Sequence, residues 1–373
     1  MDFGKNTPQR PGGLKQCFVS ALLYCTGEMQ QLHTHMQDKF FPLQLVEGCL
    51  RGISRVILLN NPLSGALILA ALLLESPWQA LLGMLGLLAS TFTAIILGQD
   101  CEEVSSGLYG FNGMLVALLM GVFSSAGDWY LWLLLPVCLG GATKHKYLTF
   151  LSSSLAPVLD RWDLPVSVFP FNTVLLLYLV CTGTSNPFFP NHPAQPPGAP
   201  ESLIYRCVCC PHQLLQGVVL GVGQIFACGT VGPSLLILVA VFLFSPILAV
   251  YFSLLPSAGL SMSVQHSFLY SGLSGFNGAL GCMVVGVFYI LSWRTHLLSI
   301  ANGDQFLFVS LSPVQLGLPA SSWAATLTGT LVLLLTGKNL KEYRIPTGKV
   351  TSPEQNLHSH KQWSAANTNA TDV

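Results

Sequence analysis

The chain has 373 residues, of which 51% are hydrophobic and only 9% are charged. Soluble domains carry about 25% charged residues because water must wet their surface, so these proportions exclude a single soluble globule and a disordered chain. The 16 basic and 16 acidic residues leave no net charge, which argues against a nucleic-acid partner. The composition predicts an all-α polytopic membrane protein in a lipid bilayer.

Apolar runs follow one another along the chain, and charged residues fall between them. No Asp, Glu, Lys or Arg occurs between Arg206 and Arg294, and at ~20 residues per helix that stretch can cross a bilayer about three or four times. Helices are expected because lipid offers backbone groups no other partner. The predicted runs are 56–74, 78–98, 107–123, 129–143, 165–183, 214–228, 232–255, 272–291, 296–311 and 314–336. The short, glycine-containing runs 107–123 and 214–228 are typical of re-entrant half-helices.

Both ends of the chain are predicted to lie in the cytosol, because Lys and Arg are enriched on that side of membranes. Arg51 and Arg55 precede the first run, and Lys338, Lys341 and Arg344 follow the last. Residues 1–39 show no signal-peptide pattern and are predicted to be an interfacial segment. The polar tail over 341–373 is predicted to be disordered, and its glycosylation motif at Asn369 would matter only on the lumenal side.

One segment of the chain occurs twice. Residues 108–123 read LYGFNGMLVALLMGVF and residues 273–288 read LSGFNGALGCMVVGVF. Weaker echoes surround them: Ser-Pro occurs at 76–77 and 245–246, and Leu-Pro at 164–165 and 318–319. The order of these markers indicates a duplicated unit, with a first repeat over 40–183 and a second over 213–340.

The connector over 184–212 is rich in proline and lacks an excess of Lys and Arg, so we predict that it is extracellular. With both chain ends inside, an outside connector requires two inverted repeats. Such repeats place a solute path between the halves, lined by broken helices. Paired glycines could instead serve close helix packing, but Asn112 and Asn277 inside apolar surroundings make packing alone less convincing.

Cysteines are mostly scattered through apolar runs, with one cluster at Cys207, Cys209 and Cys210 beside His212. Ligands this close in sequence rarely form a zinc tetrahedron, which leaves a local disulfide or lipidation open. No nucleotide-binding motif, catalytic constellation or chain of intramembrane carboxylates is visible in the sequence. We therefore expect no enzyme activity and no cofactor, but passive movement of a small uncharged solute.

At the GFNG repeats the sequence resembles the urea transporter family. The resemblance covers about 40–345 and is carried by LRGIS at 50–54, NNPLSG at 60–65, ESPW at 75–78, LPV at 164–166, PFN at 170–172, NPFFP at 186–190, GVGQI at 221–225, THLL at 295–298 and GLPA at 317–320. It implies two inverted repeats, each of about five transmembrane helices plus a re-entrant half-helix. It also implies a homotrimer in the plasma membrane, with one pore per subunit that passes urea without ion coupling.

The resemblance also assigns site residues. Leu115 and Leu280 match the slot-lining leucines of the two halves, and Gln224 matches the glutamine of the second-half site. An amide oxygen accepts from urea N–H groups, which is the role that the edge of a planar solute requires.

The chain departs from the family pattern mainly in its first half. The position answering to Gln224 is Arg55, and the wall residue three positions later is Leu58 rather than phenylalanine. The threonines of the middle of the pore are replaced by Val168 and Ser322.

Arginine donates hydrogen bonds and accepts none. Arg55 could therefore bind a solute only through its carbonyl, or it could pair away from the path, for example with Glu47. Ala324 also replaces a usual proline.

Three interpretations follow from these departures. The first is a urea channel with altered rate or affinity. The second is a channel for another small neutral solute such as water, ammonia or a urea analogue. The third is a non-transporting member with a structural role.

Overall fold

The computed structural model describes residues 24–124, 129–135, 140–182, 211–251, 270–273, 275–299, 322–335 and 342–371. Within these ranges the secondary structure is helical, apart from one isolated antiparallel bridge between Tyr289 and Arg344. The α-helices are α1 (Gln30–Gln37), α2 (Phe41–Arg55), α3 (Pro62–Glu75), α4 (Pro77–Ile96), α5 (Cys101–Ser105), α6 (Gly110–Val122), α7 (Gly140–Asp160), α8 (Phe169–Thr182), α9 (Pro211–Gln224), α10 (Val231–Phe244), α11 (Pro246–Tyr251), α12 (Gly275–Phe288), α13 (Trp323–Leu333) and α14 (Pro353–Thr371). A further helical turn covers 293–299.

Local sequence fixes where α3 and α4 begin. The Asn61 side chain accepts from the Ser64 N–H at 3.0 Å, and Pro62 takes the first helical position, where no backbone donor is needed. Ser76 ends α3 and caps α4 by accepting from the Gln79 N–H at 3.3 Å. Adjacent apolar runs therefore become two separate helices.

The outer surface of these helices is apolar. Among the described residues, α4 alone is long and apolar enough to cross a membrane by length and composition; α3, α6, α10, α12 and α13 are apolar but shorter. Large apolar side chains face outward along them, including Leu74 (70% exposed), Ile96 (79%) and Phe242 (59%). A surface of this kind is typical of helices that contact lipid.

The same turn follows α2 and α9. Leu58 and Ala227 have left-handed φ values of 60° and 55°. In each case the next residue donates its N–H back to a carbonyl, that of Ser54 at 3.1 Å and that of Gly223 at 3.0 Å. The helices before and after the turn, α2–α3 and α9–α10, thus occur in the same order in the two halves of the chain. Below, residues in the same place of the two halves are called counterparts.

Glycine permits the closest helix contacts in both halves. Gly107 and Gly272 both have φ +77°, and a Cβ on either would lie 2.3 Å from a backbone nitrogen, that of Gly52 or that of Gly221. No side chain would fit between backbones that lie this close together. The chain segments that lead into α6 and α12 therefore pack directly on the backbones of α2 and α9.

Helix α3 and its counterpart α10 pack side by side in opposite directions. Near the start of α3, the Ser64 hydroxyl donates to the Ala240 carbonyl, close to the end of α10, at 2.7 Å. At the end of α3, the Glu75 carboxylate accepts from the Gly229 N–H and the Thr230 hydroxyl, just before α10 begins.

Arg51 and Arg55 precede the first predicted run, 56–74, but they are themselves helical. They lie within and at the end of α2. Arg51 is only 1% exposed, because its donors are taken by Glu47 and by the carbonyls of Glu28, Met29 and Asn60.

A second shift concerns the run predicted over 129–143. The helix α7 instead runs from Gly140 to Asp160 and includes Lys144 and Lys146. Lys144, which directly follows the predicted run, thus lies inside the helix.

The C-terminal tail is not disordered as predicted, since the helix α14 covers Pro353–Thr371. The Glu354 carboxylate accepts from the Ser245 hydroxyl at 2.8 Å and from the Ile247 N–H at 3.1 Å, so it caps the start of α11.

The predicted connector over 184–212 and the Cys207, Cys209 and Cys210 cluster lie outside the described residues, apart from 211–212.

The two terminal segments meet on one side of the body. Gly27 donates its N–H to the Phe244 carbonyl at 3.1 Å and accepts from the Asn61 side chain at 2.7 Å. Gln355 of the C-terminal segment lies against the same glycine, 3.2 Å from the place where its Cβ would be. The end of α10 and the start of α3 are therefore on the side that carries both described termini.

Candidate functional site

Arg55 ends α2 with its guanidinium turned toward the segment before α6. Its Nε donates to the Ser106 carbonyl oxygen, and no other hydrogen bond of this guanidinium is found in the part of the chain that the structure describes. The pairing of Arg55 with Glu47, one of the alternatives considered for this arginine, does not form. Glu47 instead accepts from Arg51 Nε at 2.6 Å and lies 3.2 Å from His33 Nδ1, so its oxygens are already engaged.

Gln224 ends α9 with the same contact. Its Nε2 donates to the Ser271 carbonyl oxygen at 3.1 Å. Ser106 and Ser271 are counterparts, since each directly precedes one of the two left-handed glycines described above. Arg55 and Gln224 are therefore counterparts in space as well as in sequence.

A polar cluster joins the starts of α8 and α13. The Ser322 hydroxyl donates to Asn172 Oδ1 at 3.0 Å, and Asn172 Nδ2 donates to the Thr326 hydroxyl oxygen at 2.9 Å. Val168 lies one turn before Asn172, half-buried against the apolar core, and its carbonyl accepts from the Asn172 N–H at 2.9 Å. The structure thus brings the predicted residues Val168 and Ser322 to one place.

Sequence reasoning did not select Asn172 or Thr326 for this site. Asn172 was visible in the PFN motif, and Thr326 stands at the same distance after Ser322 as Asn172 after Val168. Comparing those two spacings would have indicated that both residues are counterparts.

Asn112 and Asn277 are buried and make equivalent contacts. Asn112 Oδ1 accepts from the Phe171 N–H at 3.3 Å, and Asn277 Oδ1 accepts from the Ala325 N–H at 3.4 Å. Each thereby ties its glycine-rich helix, α6 or α12, to the first turn of α8 or α13.

The predicted wall residues differ in exposure. Leu115 is 5% exposed within the apolar core. Leu280 is half-buried and packs against Ala324 and Ala325 at the start of α13. Leu58 is half-buried in the left-handed turn after α2.

Carboxyl groups from two segments face the Arg55 guanidinium, Glu28 and Glu103 of α5. Glu28, in the segment before α1, lies near Arg55 and Arg51, and burial raises the pKa of its carboxyl although both arginines oppose the shift. Within the described residues no group of three metal-ligating side chains occurs.

A helical body with an apolar exterior and paired polar contacts inside is typical of an integral membrane protein. The family model for the urea transporter family matches residues 46–337. The chain belongs to that family, which comprises transporters rather than enzymes.

The similar proteins agree with this assignment. The chain is 40% identical to urea transporter 1 of Ovis aries over 362 residues, which covers 95% of this chain and 92% of the relative. It is 39% identical to urea transporter 1 of Rattus norvegicus over 351 residues, which covers 92% of this chain and 90% of the relative.

Proposed function

We propose that this protein conducts urea passively across a membrane, through a path between its two repeats. The observation that carries the proposal is the match to the urea transporter family over residues 46–337. The similar proteins of sheep and rat are both called urea transporter 1.

Urea sets clear requirements for such a path. It is planar and neutral, with N–H donors around one carbonyl, and each hydrogen bond lost without replacement costs about 1–3 kcal/mol. A path must offer polar groups at the edges of the plane and apolar walls over its faces. We assign the ends to Arg55 and Gln224.

The walls and the middle of the path are assigned to the remaining site residues. We assign the walls to Leu58, Leu115 and Leu280, and the middle to Val168 and Ser322, beside which Asn172 lies. Asn112 and Asn277 would hold the half-helices in place, because their side-chain oxygens are hydrogen-bonded to α8 and α13.

The two repeats are proposed to be inverted. The opposite directions of α3 and α10, and the meeting of both termini on one side, support this arrangement. It corresponds to a first repeat over 40–183, an extracellular connector over 184–212 and a second repeat over 213–340, with 1–39 and 341–373 in the cytosol. A homotrimer with one pore per subunit, in the plasma membrane, is part of the same proposal.

Passage needs no ion under this proposal. The solute is uncharged, and the polar groups at the ends and centre exchange hydrogen bonds with it one after another. Urea would therefore move down its own gradient.

The test is urea flux into vesicles that contain the purified protein. We expect urea to enter severalfold faster than into empty vesicles, and we expect Gln224→Leu to remove most of the excess. Gln216→Leu is the matched control, because Gln216 lies two turns earlier on α9 and makes no side-chain hydrogen bond within the described residues. Correctly inserted protein without excess flux would contradict the proposal.

A second candidate function is passage of a different small neutral solute. The observation that favours it is the presence of Arg55, Leu58 and Val168 where the family has glutamine, phenylalanine and threonine. Water, ammonia and methylurea fluxes in the same vesicles distinguish the two candidates. If the flux of water, ammonia or methylurea, each taken relative to empty vesicles, exceeds that of urea, the second candidate is favoured.

A further inference from the structure

The Arg55 guanidinium has hydrogen-bond donors that no described residue uses. The group carries five N–H donors in a planar fork, and among the described residues only Nε is engaged, by the Ser106 carbonyl. The side chain is half-buried, so its remaining donors are only partly available to bulk water. Leaving donors of a charged group unmatched is costly, which means that this place favours a hydrogen-bond acceptor.

The surrounding charges indicate what kind of acceptor fits. The charged groups that face Arg55 are Glu28 from the N-terminal segment, Glu103 from α5 and Arg51 from α2. Arg51 is itself paired with Glu47, and Glu103 accepts from the Tyr109 hydroxyl at 2.8 Å. The Glu103 carboxylate beside the guanidinium repels an anion, but it does not oppose a neutral carbonyl.

The other end of the proposed path has the opposite polarity. Gln224 uses its Nε2 on the Ser271 carbonyl, and the amide orientation is fixed, because a flipped amide would place two oxygens together. Its Oε1 has no hydrogen-bond partner among the described residues and is left as an acceptor for N–H groups.

We infer that Arg55 binds the carbonyl oxygen of the solute, so that one end of the path recognises C=O and the other recognises N–H. This inference rests on the proposed passage of urea. It makes Arg55 a specificity-determining residue for neutral amides with a strong carbonyl acceptor. A path with a glutamine at each end could present an amide oxygen at both, and the arginine replaces one of them with a donor.

The test compares urea with thiourea in vesicles that contain the purified protein. Thiourea has the same shape and N–H groups, but its sulfur is a weaker acceptor. In Arg55→Gln we expect the new amide to donate to the Ser106 carbonyl as Gln224 does to Ser271, which leaves mainly its oxygen for the solute. The urea-to-thiourea permeability ratio should then fall about tenfold, the size of one charge-assisted hydrogen bond.

Two further variants make the result specific. Arg55→Lys keeps the charge but loses the planar fork, so it should give an intermediate ratio. Arg294→Gln removes an exposed arginine on the 293–299 helix and should leave the ratio as in the unchanged protein. Elution as a single species and the melting temperature in detergent report whether each variant is folded.

Three outcomes would overturn the inference or its basis. An unchanged ratio in folded Arg55→Gln, with urea flux intact in the unchanged protein, refutes the role of Arg55 alone. Competition by formate that disappears in Arg55→Gln would show an anion site instead of a carbonyl site. If the unchanged protein passes no urea at all, the proposed function fails, and this result differs from both of the others.

Discussion

The two left-handed glycines, Gly107 and Gly272, give the sharpest test of the duplicated packing. An alanine at Gly272 would place its Cβ 2.3 Å from the Gly221 nitrogen and 2.5 Å from the Leu220 carbonyl carbon, at φ +77°. The left-handed conformation costs about 1–2 kcal/mol for a residue with a Cβ. The contact is with backbone, so relief requires the helices to move apart, which adds about 1–3 kcal/mol.

The matched control is Gly98→Ala. Gly98 has φ +67°, but a Cβ there would meet nothing within 4 Å. We therefore expect Gly98→Ala to cost only about 1–2 kcal/mol of unfolding free energy, and Gly272→Ala and Gly107→Ala to cost about 2–5 kcal/mol each. The two larger losses should be similar, because the two glycines make the same approach, to Gly221 and to Gly52.

Thermal unfolding of the purified variants in detergent, followed by intrinsic fluorescence, measures these differences. Urea flux should fall with stability in Gly272→Ala, because the adjacent Ser271 carbonyl is the acceptor for Gln224. If Gly272→Ala unfolds at the same temperature as Gly98→Ala, the close approach of the backbones is not a property of the protein in solution, and the reasoning fails.

The remaining predictions concern single contacts. Asn172→Leu should lower stability by about 1–3 kcal/mol, since two buried hydrogen bonds between α8 and α13 are lost, and an unchanged melting temperature would contradict the cluster. Val168→Thr adds a hydroxyl where the family has one, and stopped-flow measurements should show faster urea entry; no change would place this side chain outside the path. Glu354→Gln should cost about 0.5–1 kcal/mol in the same melting assay, because the charge that caps α11 is removed, and an equal loss in Glu342→Gln would show that the cap is not responsible. Burial raises the pKa of Glu28, so folding favours the protonated carboxyl. The contribution of Glu28 to the free energy of unfolding is therefore complete below about pH 4.5 and is lost as pH rises through the folded pKa. Glu28→Gln should flatten this pH dependence of the melting temperature.

Much of the architecture could be predicted from the sequence because one segment of it occurs twice. The two GFNG segments predict two equivalent helices, and α6 and α12 are found there, with Asn112 and Asn277 in the same kind of contact. The Ser-Pro steps at 76–77 and 245–246 both fall at helix boundaries, since serine caps a helix and proline suits its first position, but the predicted run 232–255 passed through the second of them.

Other parts could not be predicted, because they depend on contacts between distant residues. A hydropathy pattern predicts that a buried helix ends at an arginine. Arg51 is nevertheless buried in α2, because Glu47 and the carbonyls of Glu28, Met29 and Asn60 accept its hydrogen bonds. The polar composition of the tail suggests disorder, but Glu354 docks the start of α14 on α11. The pairing of Asn172 with Thr326 joins two segments that are far apart in the chain.

Passive conduction of urea is tested most directly by the distribution of urea at equilibrium. Vesicles that contain the protein are given radiolabelled urea under imposed proton and sodium gradients and a membrane potential. We predict fast entry that stops at equal concentrations inside and outside, whichever gradient is present. Accumulation above the outside concentration, driven by any of these gradients, would contradict the account, as would entry no faster than into empty vesicles.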